Sequence, residues 1–521
     1  MTDTQTQQHP VALGGEHLSI DDVVRVARHG APVELSPTAL AAVRATRGTI
    51  EGLANDTVAH YGVSTGFGAL ATRHIPVELR AQLQRSLVRS HAAGAGPEVE
   101  REVVRALMLL RIATLATGRT GIRAETLETY IAMLNAGITP VVHEYGSLGC
   151  SGDLAPLSHC ALALMGEGLV RDDDGDVMDA AEALEAAGIT PVVLAEKEGL
   201  ALINGTDGML GMLCLAIADL RLLVTTADIA AAMSVEGLLG TDDVFAADLH
   251  ALRPQPGQAM SAENMRKMLA DSPIRESHRD PEACTRVQDA YSLRCAPQVA
   301  GGVRDTIDHA ARVAGWELAS AIDNPVVTLD GRVESNGNFH GAPVAYVLDF
   351  LAIVAADLAS ISERRTDRFL DKSRNNGLPP FLADDPGVDS GLMIAQYTQA
   401  AMVSEMKRLA VPASVDSIPS SAMQEDHVSM GWSAARKLRR SVDALTRVIA
   451  IELVAAARGI QLRAPLAPAP ATGAVIAGMA EFGNVAPGPD RFLAPDLEAA
   501  YEAVLDGAVV AAAETVTGRL N

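Results

Sequence analysis

The sequence predicts a mainly α protein: a long helical-bundle core, a smaller N-terminal helical region and minor β-structure. Two features of composition and one of pattern carry that reading. Apolar residues make up 48% of the chain but aromatics only 3%. The core is therefore built from Ala, Leu, Val, Ile and Met, which suit packed helices better than β-sandwiches. Long apolar stretches at helical spacing recur without βαβ alternation and without a fixed-period repeat.

In chain order, residues 1–14 read as a flexible tail. Short helices follow at Asp21 to His29 and Thr38 to Glu51, the second opened by Ser36 as N-cap and Pro37 at the first helical position. Pro97 and Glu98 begin a helix through Ala116, with Val99, Val103, Leu107 and Leu110 on one face and Gly118 as its stop. Helical patterns resume at Ala124 to Asn135, Ala155 to Gly166 and Thr206 to Val235, and Gly168 to Val170 reads as a short strand. Beyond Pro254 to Gly257 the pattern gives helices at Val299 to Ser320, Ala342 to Thr366, Leu392 to Leu409 and His427 to Arg458. Glu452 sits among apolar residues of the last and reads as a carboxylate paired across helices. A Pro-Ala linker, Ala464 to Ala471, precedes two closing helices. The division expected is a region 15–206 and a helical core 207–521, folding as one cooperative unit.

Charge and cysteine content exclude several functions. Lys and Arg number 42 against 65 Asp and Glu, a net charge of −23, which gives no electrostatic support to a nucleic-acid or anionic-membrane partner. None of Lys197, Lys267, Lys372, Lys407 and Lys437 lies in a phosphate-binding Gly-rich loop. Cys150, Cys160, Cys214, Cys284 and Cys295 are too few, and odd in number, for a disulfide framework. The polar start predicts no signal peptide. Gly208 to Gly240, the most apolar stretch, is interrupted by Asp219, Arg221, Asp228 and Glu236 and so predicts no membrane span. The expected compartment is the cytoplasm.

Two motifs mimic other chemistries. Gly62, Ser64 and Gly66 match a G-x-S-x-G nucleophile elbow, and Gly66, Gly68 and Ala71 match a dinucleotide fingerprint. Each needs a parallel sheet around it, and none is predicted. His143, Cys150, His159 and Cys160 fit no standard zinc spacing, so no metal is expected.

The segment Gly146 to His159 contains Cys150-Ser151-Gly152-Asp153 just before a helix, with Asp153 as N-cap and Pro156 in the first turn. A helix N-terminus favours developing negative charge beside it. The extended string resembles the signature of the aromatic amino-acid ammonia-lyases and aminomutases. In that family an Ala-Ser-Gly triad cyclises to 4-methylideneimidazol-5-one (MIO). The Gly nitrogen attacks the carbonyl carbon of the first residue, and two waters leave as the ring closes and the Ser dehydrates. Gly is needed for the backbone angles of attack; the first residue gives only its backbone to the ring. Cys150 stands where the family usually has Ala, Asp207 where it often has Gln, and Met423 where it often has Asn.

Further motifs carry the resemblance along nearly the whole chain, in order: Tyr61 to Gly68, Ser90 to Gly94, Lys197 to Thr206, Gln288 to Gln298, Asn336 to His340 and Ser414 to His427. The resemblance implies the triad Cys150, Ser151 and Gly152 as the source of MIO, without metal or PLP. It implies Asn204 as a donor to the MIO oxygen, Tyr61 as base for the β-proton, and Tyr291 in the catalytic set. Arg294 would hold the substrate carboxylate beside Gln288, Phe339 would pack on the substrate ring, and His91 and Glu425 would face the substrate side chain. It also implies a homotetramer with sites shared between subunits. Gln424-Glu425-Asp426-His427 resembles the members acting on histidine, implying L-histidine to trans-urocanate and ammonia, the first step of histidine degradation. The alternatives are a tyrosine or phenylalanine lyase, an aminomutase, or an uncyclised, non-catalytic helical protein.

Overall fold

The computed structural model describes residues 9–15, 17–54, 60, 62, 64–66, 72–280, 284 and 287–521. The chain divides into two compact units. One comprises Met1–Ala218, Ala311–Asp349 and Pro412–Arg436; the other comprises Asp219–Ala310, Phe350–Val411 and Lys437–Asn521. Mainly α with minor β is the observed class: among the described residues the strands are short and confined to the first unit.

Local chemistry explains the early helices. In Ile20–His29, Ser19 and Asp22 form a reciprocal capping box, and Gly30 closes the helix at φ 66°. Ser36 accepts from Ala39 N at 3.1 Å, and the helix it opens runs Pro37–Ala54. Arg101–Ala116 is buried nearly all round, including Val103, Leu107, Leu110, Ile112 and Leu115. Each such side chain contributes about 1.5–3 kcal/mol.

That helix starts later than the sequence suggests. Ala95–Glu98 is a strand antiparallel to His143–Tyr145, and Val99 N donates to Val142 O at 2.9 Å. Gly96 lies at φ 92°, and a Cβ there would meet the Tyr145 ring at 2.6 Å, so long-range pairing takes these residues from the helix.

Ala124–Asn135 and Leu154–Leu164 lie where expected, as do Asp207–Gly237, Ala296–Leu318, Ala342–Leu370 and Met393–Leu409. By length and apolarity alone Glu198–Gly237 could span a membrane, despite its interrupting charges, but 78% of its most apolar window is buried inside the protein. The helix expected from His427 begins at Gly431 and runs to Gln461. Met430 lies at φ 53°, and its N–H donates to Leu148 O at 2.9 Å, so the preceding residues serve another loop. Three helices, not two, close the chain: Pro470–Ala480, Ala494–Leu505 and Ala508–Thr517.

In the second unit Glu452 is fully buried. It accepts from Arg365 Nη2 at 2.8 Å, Ser234 Oγ at 2.7 Å and Ser362 Oγ at 2.6 Å. The predicted cross-helix pair is present, with both carboxylate oxygens satisfied.

Candidate active site

The triad loop is held by residues distant in sequence. Ser429 Oγ donates to Gly149 O at 2.8 Å, and Gly341 N donates to the same carbonyl at 2.9 Å. Ser147 Oγ donates to Asp153 Oδ1 at 2.8 Å. Asp153 sits at the N-cap of Leu154–Leu164 yet makes no side-chain cap there. Its Oδ2 instead accepts from Gly208 N and Met209 N, each at 2.9 Å. It therefore caps Asp207–Gly237, correcting the local reading. Burial pushes the Asp153 carboxyl up to about 7, against the amide and hydroxyl donors that favour its ionised form.

Gly152 is the tightest point. Its φ is 72°, and a Cβ would fall 2.1 Å from the Gly205 carbonyl oxygen. Asp153 N donates to that same oxygen at 2.7 Å. Only Gly fits both the backbone angle and the approach. This is the backbone freedom a cyclising Gly needs, so the triad fits the MIO chemistry.

Glu425 reaches the triad from a narrow loop. Ser420 and Glu425 pair as an isolated bridge, and Ser421, Ala422 and Met423 lie between them at positive φ. Ser151 Oγ donates to Glu425 Oε1 at 2.7 Å. Cys150 Sγ lies 3.3 Å from Oε2, and Ser420 Oγ donates to Oε2 at 2.9 Å. Burial first, then the Glu425 charge and hydrogen bond, pushes the Cys150 thiol up to about 12. The cysteine side chain thus has a partner that its backbone role does not require.

Asn204 Nδ2 donates to Asn324 O at 3.1 Å, while its Oδ1 is buried without a hydrogen-bond partner. The Asn324 segment is tied down by Lys197 Nζ, which donates to Asp323 Oδ2 at 2.5 Å with both side chains fully buried. Burial lowers the Lys197 pKa and raises that of Asp323, each opposed by the other's charge. Asp207 is buried beside Arg111 at 3.4 Å, and Met423 is 66% exposed.

His91 ends the helix Arg80–His91. Its Nδ1 lies 2.9 Å from Leu87 O, which assigns the proton to Nδ1 and leaves Nε2 as acceptor in the neutral ring. Burial holds the His91 pKa down, against the Leu87 carbonyl and the Glu425 charge, which raise it. Phe339 is half-buried; beside it, the His340 ring stacks on His427 at 5.7 Å.

The first unit therefore brings Cys150, Ser151, Gly152 and Glu425 into contact, with His91 and Asn204 nearby. Gln288, Tyr291 and Arg294 belong to the second unit. There the Arg294 guanidinium lies over the Tyr291 ring at 4.7 Å and its Nε is buried without a hydrogen-bond partner. Tyr61 lies outside the described residues. Ser64, the nucleophile of the hydrolase motif, is fully buried, and its Oγ accepts from His60 N at 2.9 Å.

The sequence pattern of the aromatic amino acid lyases matches residues 18–481. The chain belongs to the aromatic amino acid lyase family. It is similar to a histidine ammonia-lyase of Streptomyces griseus, 69% identical over 514 residues that cover 98% of this chain and 100% of the relative. The crystal structure of histidine ammonia-lyase from Trypanosoma cruzi is similar at TM-score 0.89 and 38% identity, covering 97% of this chain and 95% of that one. Tyrosine aminomutase from Streptomyces globisporus is similar at TM-score 0.92 and 37% identity, covering 98% and 100%. The family match therefore spans lyases and aminomutases. As a member of this family, the chain is a lyase-type enzyme.

Residues that sequence reasoning missed are Ser420, Ser429, Asp323 and Asn324. Ser420 lies inside the Ser414 to His427 motif, but only the folded loop reveals its contact. Asp323 and Lys197 had a usable signal, a rare lysine beside a motif asparagine, but no pattern names its partner.

Proposed function

We propose that the enzyme eliminates ammonia from L-histidine to give trans-urocanate, the first step of histidine degradation, using MIO formed from Cys150, Ser151 and Gly152. The observation that carries this reading is the Glu425 carboxylate hydrogen-bonded to Ser151 at 2.7 Å, beside a glycine that tolerates no Cβ. Similarity to histidine ammonia-lyases from Streptomyces griseus and Trypanosoma cruzi supports the substrate.

Elimination breaks a Cβ–H and the Cα–N bond and forms Cα=Cβ. The electrophile supplies an acceptor for substrate electrons, which makes the amine a better leaving group. The chain's own residues do the rest. Asn204, its amide set by the Asn324 carbonyl, donates to the oxygen that gains negative charge. Tyr61 takes the β-proton. Arg294 forks onto the substrate carboxylate, a bidentate geometry that Lys cannot copy, with Gln288 and Tyr291 at the same end. Phe339 packs on the imidazole ring. Neutral His91 presents Nε2 as acceptor, and Glu425 accepts an imidazole N–H.

The enzyme works as a cytoplasmic homotetramer with sites shared between subunits. Phe350, Ile353, Ile394 and Tyr397 stay exposed in the second unit, and apolar helix faces of this kind call for a partner. Two measurements test the reading: intact mass showing loss of two waters, and urocanate absorbance with histidine, tyrosine and phenylalanine supplied separately. An unmodified mass overturns the lyase mechanism, and preference for phenylalanine or tyrosine overturns the histidine assignment. A β-amino acid product would mark an aminomutase.

A further inference from the structure

The two oxygens of Glu425 are held differently. Oε1 accepts from Ser151 Oγ at 2.7 Å; Oε2 accepts from Ser420 Oγ at 2.9 Å and faces Cys150 Sγ at 3.3 Å. Maturation treats these donors unequally. Dehydration of Ser151 expels its hydroxyl as water, so Oε1 loses its donor. The thiol is not consumed, because only the Cys150 backbone enters the ring, and Ser420 lies outside the triad.

We propose that the Cys150 thiol and Ser420 are positioning residues that pin Oε2 of Glu425, leaving Oε1 as the oxygen that receives the imidazole N–H of the substrate. Alanine, usual at this position in the family, has no donor to give. A thiol is a weak donor, suited to fixing a carboxylate's rotation without saturating it. Because burial and the Glu425 charge hold the thiol at about 12, it stays protonated, and so remains a donor, at any working pH. The titratable groups set against Glu425 include Cys150 and His91. Neither is a fixed cation.

The inference rests on Glu425 meeting the substrate side chain. Its test uses the full-length enzyme with Cys150→Ala, Cys150→Ser and Ser420→Ala, each followed by intact mass, melting temperature and kcat/KM for histidine. All three variants should show the loss of two waters and melt with the wild type. Cys150→Ala should lower kcat/KM about five- to tenfold, the worth of one hydrogen bond of ordinary strength, because a weak thiol donor does not reach the full value of a bond to a charged acceptor. Cys150→Ser, which keeps a donor, should recover most of the loss, and Ser420→Ala should behave like Cys150→Ala. Wild-type kcat/KM in Cys150→Ala overturns the proposal. So does a Cys150→Ser as poor as Cys150→Ala, which would point to volume rather than donation. A Cys150→Ala protein that retains both waters overturns it as well, because the thiol would then act in ring closure. Failure of the underlying reading looks different: the wild type itself would lose two waters yet ignore histidine.

Discussion

Glu452 and Glu425 are both carboxylates with several donors, and they differ in kind. Glu452, in the second unit, has a guanidinium and two serine hydroxyls and no exposure. Glu425, in the first unit, has two hydroxyls and a thiol, and one of those hydroxyls belongs to Ser151, the residue that dehydrates on the proposed route. A structural carboxylate is neutralised by a permanent cation. The carboxylate at the triad is held by neutral donors and on the proposed route loses one of them.

The largest effect should come from the triad itself. Ser151→Ala removes the hydroxyl that leaves on the proposed route, and Gly152→Ala drives a Cβ into the Gly205 carbonyl. Both should show the mass expected without ring formation and lose turnover by several orders of magnitude. Ser151→Ala should still fold, at a cost of about 1 kcal/mol; a fully active Ser151→Ala enzyme would break the mechanism. Next in size is Glu452→Gln. It strands the buried Arg365 and should cost about 3–5 kcal/mol of stability by denaturant titration, with loss of two waters unchanged in the folded protein. A variant as stable as wild type would break the contrast from the structural side.

Glu425→Gln tests the other side. It should leave the mass signature and the melting temperature intact while lowering kcat/KM for histidine about 5- to 150-fold or more, corresponding to roughly 1–3 kcal/mol for a buried acceptor interaction. Full activity on histidine in this variant would dissolve the distinction between the two carboxylates. The smallest effect concerns Cys150 reactivity. With its thiol pushed up to about 12, the thiolate is scarce near neutral pH. Iodoacetamide should leave Cys150 unlabelled there by peptide mass mapping, and labelling should rise only in strong alkali. Rapid labelling at neutral pH would contradict the donor role of the thiol.

What was legible in the sequence was local or motif-borne. Ser36 and Pro37 announced a helix start, Gly118 a stop, and Cys150-Ser151-Gly152 the triad with its glycine requirement. What was illegible depended on partners far along the chain. Pro97 looked like a helix start because its strand partner lies at His143–Tyr145. Asp153 looked like the cap of its own helix, whereas it caps Asp207–Gly237 through Gly208 and Met209. His427 looked helical because nothing local shows that Ser429 and Met430 bind the Gly149 and Leu148 carbonyls. Cys150 looked interchangeable with Ala until its sulfur was placed against Glu425. Periodicity reports which face is apolar; it is silent on which distant donor a carboxylate selects.

The brace around Gly152 also sets an order of events in biosynthesis. The peptide to be cyclised is held by Gly205, Gly208 and Met209 on one side and by Gly341, Glu425 and Ser429 on the other. A nascent chain that has not yet emerged past Ser429 lacks part of this clamp, so self-modification on the proposed route waits until most of the polypeptide has been made. The prosthetic group then doubles as a receipt for correct folding, and misfolded copies would carry the weight of two extra waters.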